Sequence, residues 1–187
     1  MSENEKKKRK LKTLDIVYIG LFAAIMAVCS WISIPLTVPI TLQTFGVCCA
    51  VALLGLKRGM LSVIVYIILG LIGVPVFVGF TSGVGVLAGT TGGYIIGFIF
   101  TALIVGLMTK FLGDKLWVYI VSMVLGIAVC YAFGTVWFLL VYNNGNADAV
   151  SLGTVLGWCV TPFIIPDIVK IALASLICTK VKKYVKN

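Results

Sequence analysis

Apolar residues run along this chain in long stretches, interrupted only by short clusters of charge. A helix needs about 20 such residues to cross the hydrocarbon core of a bilayer. The pattern predicts spans at Leu14–Ile34, Thr41–Leu56, Met60–Gly73, Gly92–Leu112, Leu116–Tyr142 and Leu152–Thr179. The second and third are short for a perpendicular crossing, so they are expected to borrow residues from neighbouring linkers. Two of those linkers, Pro35–Pro39 and Val74–Thr91, are apolar for loops. Irregular backbone at membrane depth is tolerated only where protein or a cavity covers it, so both are expected to fold back into the protein. The prediction is an all-α integral membrane protein with six transmembrane helices: a basic tail at residues 1–12, then one transmembrane domain at residues 13–187.

Charge tests this partition independently, because cytoplasmic segments are enriched in Lys and Arg. If the chain starts inside, the cytoplasmic segments are the N-terminal tail, Lys57-Arg58, the Lys110–Lys115 turn and the tail bearing Lys180, Lys182, Lys183 and Lys186. They hold fourteen of the fifteen basic residues. The opposite linkers hold none, and their only charge is Asp148. An odd number of spans would put one basic terminus on the wrong side. Both termini are therefore expected in the cytoplasm, and the protein in the plasma membrane as a multi-pass component.

Composition agrees: the 187 residues are 61% hydrophobic and 11% charged, with a mean hydropathy of +1.16. The solvent for most of the chain is lipid. The basic start is not read as a signal peptide, because the apolar run after it is too long for an h-region and no small-residue cleavage site follows. Nor is it read as a nucleic-acid site, since topogenic and lipid-surface roles already account for it. The six cysteines all fall in or beside apolar runs without CxxC spacing, and His is absent. They are read as small buried hydrophobes, with no metal and no cofactor expected.

The sharpest polar signal lies in the sixth span, where Asp167 is followed three residues later by Lys170, the one basic residue outside the cytoplasmic segments. A charge at bilayer depth costs at least ~2.5–3.5 kcal/mol, so such residues face the protein interior, are paired and mark function. Spacing of three puts both on one helix face. Counting back from Lys180 at 1.5 Å per residue places Asp167 about 20 Å up the helix, in the outer half of the membrane. Pro162 and Pro166 precede it. A proline inside a helix kinks it and frees a carbonyl, which serves either packing or a ligand.

The segment Val78–Tyr94 is rich in glycine and carries Thr81, Ser82, Thr90, Thr91 and Tyr94 on the same outer side. Glycine permits close backbone approach, while the apolar Val78, Phe80, Val84, Val86 and Leu87 point to a packed lid. No GxxxxGK[ST] is present, so this is not a nucleotide loop. Gln43 adds an amide at the outer start of the second span. Trp31, Phe77, Tyr94, Trp137 and Trp158 are consistent with an interfacial aromatic belt. In the first span, Ala23 and Ala27 stand four apart, a spacing that admits a neighbouring helix of this chain or of a partner.

Four segments, Val38–Thr44, Tyr66–Phe77, Gly89–Phe98 and Pro162–Lys170, together resemble, in order, the BioY biotin transporters, which are substrate-binding S components of energy-coupling factor (ECF) transporters. The resemblance covers essentially the whole chain after the basic tail. One departure is Gly89-Thr90-Thr91-Gly92-Gly93-Tyr94, where the family usually has Pro in place of Thr90. The resemblance implies that Asp167 and Lys170 are polar anchors for biotin and that Gln43, Thr91 and Tyr94 line the pocket, a set to which Phe77 is added. It also implies that Ala23 and Ala27 meet a transmembrane coupling subunit, with two ATPase subunits completing the transporter. Three functions follow from the residues: a vitamin-capturing subunit driven by ATPase partners, a stand-alone transporter coupled to protons through Asp167, and a membrane enzyme. The enzyme is disfavoured because no nucleophile, base and metal set accompanies the carboxylate.

Overall fold

The structure, a computed structural model, describes residues 12–145 and 149–185. Residues 1–11 of the basic tail, Asp148 and Lys186 lie outside them. Helix α1 is Thr13–Trp31, α2 Gln43–Leu71, α3 Val84–Ala88, α4 Gly92–Leu112, α5 Leu116–Gly145, α6 Leu152–Cys159 and α7 Ile164–Val185. Between α1 and α2 the chain forms a short antiparallel hairpin, β1 (Ser33–Ile34) with β2 (Ile40–Thr41), in which Ser33 pairs with Thr41.

Among the described residues, five helical stretches are long and apolar enough to cross a membrane. One of them, α2, crosses twice. Its residue Gly55 has φ +79°, a left-handed conformation that glycine adopts without the penalty other residues incur. There the chain reverses: a Cβ on Gly59 would come 2.5 Å from Val51 Cα, and Tyr66 OH reaches Gln43, contacts no straight helix allows. The two arms, 43–54 and 56–71, are the second and third predicted spans, so the chain passes the bilayer six times. The turn falls at Gly55 rather than at Lys57-Arg58, which open the second arm.

The sixth span also differs from expectation. It is broken into α6, a 3-10 turn at Thr161–Phe163, and α7. Pro162 lies in that turn and Pro166 in the first turn of α7, where a missing N–H leaves no helical bond unmade. Thus Pro166 does not kink a helix interior. It helps to start one, and Asp167 follows in the first turn.

The basic end of the bundle is held by two ion pairs. Asp15 caps α1 by accepting from Lys12 N at 3.0 Å and pairs with Arg58 at 2.8 Å, joining α1 to the second arm of α2. Asp114, in the α4–α5 turn, pairs with Lys182 of α7 at 2.5 Å. The core between these helices is apolar and includes the free, buried Cys48, Cys49, Cys130 and Cys178. Ala23 and Ala27 belong to it as well, 1% and 5% exposed. They pack inside the chain itself, contrary to the partner contact expected of them, because their helix face turns toward α2. The small residues that α1 leaves exposed are Gly20 and Ala24.

Candidate functional site

At the end of the bundle opposite these ion pairs lies a cavity of about 230 Å³. Its wall is assembled from β2 and the start of α2, residues 77–91, and parts of α4, α5, α6 and α7. The six residues expected at the pocket, Gln43, Phe77, Thr91, Tyr94, Asp167 and Lys170, all line it.

The charged part of the wall is the pair on α7. Lys170 Nζ donates to Asp167 Oδ1 at 2.6 Å, and both side chains are buried. Three elements converge on the carboxylate. Thr44 Oγ1, from the first turn of α2, donates to Oδ1 at 3.2 Å, and the Tyr131 hydroxyl, from the middle of α5, donates to Oδ2. Asp167 is thereby held by three donors, whereas Asp167 is the one hydrogen-bond acceptor that Lys170 has among the described residues. An ammonium carries three N–H groups, so two remain for whatever enters the cavity.

The amide of Gln43 forms a second polar patch. Its Oε1 accepts from Thr41 Oγ1 at 3.0 Å and its Nε2 donates to Tyr66 OH at 2.5 Å, which in turn donates to Val76 O at 3.1 Å. This chain of bonds fixes the amide plane and leaves one Nε2 hydrogen to spare. Tyr94 OH lies 3.2 Å from Thr135 Oγ1, its ring seated on Gly134. Thr91 stands at the N-cap position of α4 and lines the cavity.

Apart from Thr81, the rest of the wall is largely apolar. Phe77 is 1% exposed and stands edge-on to Tyr66, ring centroids 5.7 Å apart. It nests where Gly70 offers no side chain, and a Cβ there would overlap its ring. Phe77 and Tyr94 are thus interior residues rather than members of the aromatic belt. Trp31 is exposed and stacks on Phe80 at 4.7 Å.

The 77–91 segment covers the cavity in part, as expected of a packed lid. Its Phe77 N donates to Thr81 O at 3.1 Å, Gly83 N to Gly70 O at 2.7 Å, and Trp137 Nε1 from α5 to Gly89 O at 2.9 Å. Val78 and Val86 face the cavity, but Phe80 and Val84 are 63% and 65% exposed and take no part in covering it. In the other linker Val38 is buried and lines the cavity, whereas Pro35, Leu36 and Thr37 are exposed.

The two hydroxyl donors to Asp167, Thr44 and Tyr131, are not singled out by the sequence. Thr44 sits in one of the segments that carry the resemblance but looks like any helix-start threonine. Tyr131 is a hydroxyl in the middle of a 30-residue apolar helix, and a buried tyrosine hydroxyl requires a partner. That requirement was the available signal.

A six-crossing helical bundle that encloses an ion-paired cavity in its outer half defines a membrane-embedded binding protein for a small solute. The chain matches the BioY family over residues 4–187 and belongs to it. It is 41% identical over 170 residues to a biotin transporter BioY of Thermotoga maritima, covering 90% of this chain and 96% of the relative. A probable biotin transporter BioY of Pyrococcus horikoshii is 39% identical over 173 residues, covering 92% and 98%. Among solved structures, the S-component for biotin from an ECF-type ABC transporter superposes with a TM-score of 0.81 at 28% identity, over 98% of this chain and 95% of that one.

Proposed function

We propose that this protein captures biotin from the outer side of the membrane and delivers it inward together with the coupling and ATPase subunits of an ECF transporter. The observation that carries the reading is the buried Asp167–Lys170 pair in the wall of an otherwise largely apolar cavity. An apolar cavity with a few placed polar groups is what small-molecule sites look like. Biotin matches it, with a ureido group of two donors and one acceptor, an apolar bicycle and chain, and a carboxylate. Membership of a family whose named relatives are biotin transporters supports the same ligand.

The pair is net neutral, so it accommodates a neutral polar group without adding uncompensated charge to a buried site. The ureido end suits it: the ureido oxygen takes the N–H groups Lys170 has left, and a ureido N–H meets the remaining lone pair of Asp167. Gln43, Phe77, Thr91 and Tyr94 line the remainder.

Equilibrium binding of radiolabelled biotin to the purified protein tests the ligand, with thiamine and riboflavin as competitors. Saturable one-to-one binding displaced by neither competitor is expected, and its absence would remove biotin as the ligand. The orientation is tested with biotinamide, which should bind within tenfold of biotin, and with 2-iminobiotin, which should lose far more. The opposite ranking would put the carboxylate at Lys170.

A further inference from the structure

At the cytoplasmic end a second cavity, about 380 Å³, opens between the turn of α2, the end of α4, the α4–α5 turn and the last turn of α7. Lys57, Lys110, Lys182 and Asp114 line it, with Leu56 and Gly106 among the apolar contributors. Three lysines face one carboxylate, a surplus of two positive charges. The carboxylate is committed elsewhere: Asp114 pairs with Lys182 at 2.5 Å and accepts from Tyr119 OH at 3.0 Å. Lys57 and Lys110 have no acidic partner among the described residues; the neighbour of Lys110 Nζ is the Phe111 ring, 5.4 Å from its centroid. Neither the ion pairs of the bundle nor the outer cavity uses these two ammonium groups.

We infer that this cavity binds the phosphate headgroup of an anionic phospholipid from the cytoplasmic leaflet. The geometry favours a lipid over a soluble anion for two reasons. The cavity lies at the helix ends, where the cytoplasmic headgroups are. Moreover, α4 presents an apolar stripe leading away from Lys110 toward the bilayer centre, Leu107 and Leu103, 36% and 40% exposed. Residues 103, 107 and 110 share one face of the helix, so a headgroup held between Lys57 and Lys110 leaves its acyl chains along that stripe. Asp114 sits on the Lys182 side and repels an anion there, which directs the phosphate to Lys57 and Lys110. Basic pockets between transmembrane helices on this side of a membrane are the known form of such sites.

The test uses the full chain in nanodiscs of phosphatidylcholine alone or mixed with phosphatidylglycerol, followed by native mass spectrometry of the lipid that stays bound. Attraction of about 1 kcal/mol per lysine at an anionic surface corresponds to about fivefold in affinity. Lys57→Gln and Lys110→Gln should therefore each lower phosphatidylglycerol retention about fivefold, while Lys110→Arg preserves it and phosphatidylcholine retention does not change. Both side chains are exposed, and unchanged helicity by circular dichroism shows that the variants fold. Equal retention in K57Q/K110Q and the parent overturns the proposal. So does displacement of phosphatidylglycerol by inorganic phosphate, which would make the site one for a soluble anion. Loss of co-purifying partner subunits in K57Q/K110Q without any change in lipid retention assigns the lysines to a protein contact and also overturns it.

Discussion

The bundle carries ion pairs at both ends, and they are built differently. At the cytoplasmic end, Asp114–Lys182 leaves the two side chains 23% and 21% exposed, and Asp15–Arg58 leaves them 12% and 43% exposed. They join elements that are distant in sequence, α1 to α2 and the α4–α5 turn to α7. At the outer end, Asp167–Lys170 joins residues three apart on one helix, with side chains 5% and 7% exposed, so it ties no two elements together. Two further donors, from α2 and α5, are instead brought to its carboxylate. An ion pair that merely stabilised the fold would sit where it staples helices and where desolvation is cheap. The outer pair does neither, since a buried pair is often no better for stability than an apolar one. Under the proposed function, its position is accounted for by what the cavity binds.

That contrast can be broken most directly at Asp167 and Lys170. Asp167→Asn and Lys170→Met should each weaken biotin binding by more than tenfold, since a hydrogen bond to a charged group is worth ~1.5–3 kcal/mol and ~1.4 kcal/mol is a factor of ten. Each single change also strands a buried charge, at a cost of about 3–5 kcal/mol in stability, so thermal unfolding should be measured beside radioligand binding. In the double variant stability should return while binding does not. Full biotin affinity in the Asp167→Asn, Lys170→Met protein would make the outer pair a structural one like its cytoplasmic counterparts.

Tyr131→Phe sharpens the comparison, because it removes one donor to Asp167 and leaves the ring in place. Affinity for biotin should fall about tenfold, with little change in unfolding temperature. A large loss of stability without loss of affinity would make the hydroxyl a packing device.

Ala23→Trp probes the core between the two ends. Inserting bulk into a packed core costs about 1–3 kcal/mol or more, so binding by the isolated protein and uptake by the assembled transporter should fall together. Ala24→Trp, on the exposed face of α1, should leave binding by the isolated protein intact. If Ala23→Trp spared binding and lost only uptake, the burial of that face would be wrong.

The smallest effect belongs to the cytoplasmic end. Lys182→Gln loosens a partly exposed pair worth at most about 1 kcal/mol and lies far from the outer cavity. A small drop in unfolding temperature and an unchanged biotin affinity are expected. A tenfold change in affinity would mean the two ends are coupled.

Hydropathy and the positions of charges are properties of the chain in one dimension, and what depends on them alone was readable from the residues: the membrane-crossing runs, the cytoplasmic placement of the basic turns, and the pair Asp167–Lys170. The resemblance extended this to Gln43, Thr91 and Tyr94, which the fold gathers around one cavity. What required the tertiary structure depends on how each helix is rotated and where it is broken. Ala23 and Ala24 are adjacent, small and apolar, yet one faces α2 and the other the outside of the bundle, because a helix turns 100° per residue and the packing partner selects the face. The reversal at Gly55 and the break before Ile164 depend on backbone geometry that hydropathy does not encode. Tyr131 lies 36 residues from Asp167 along the chain. Only the packing of α5 against α7 turns one of the three tyrosines of an apolar helix into the third donor of a buried carboxylate.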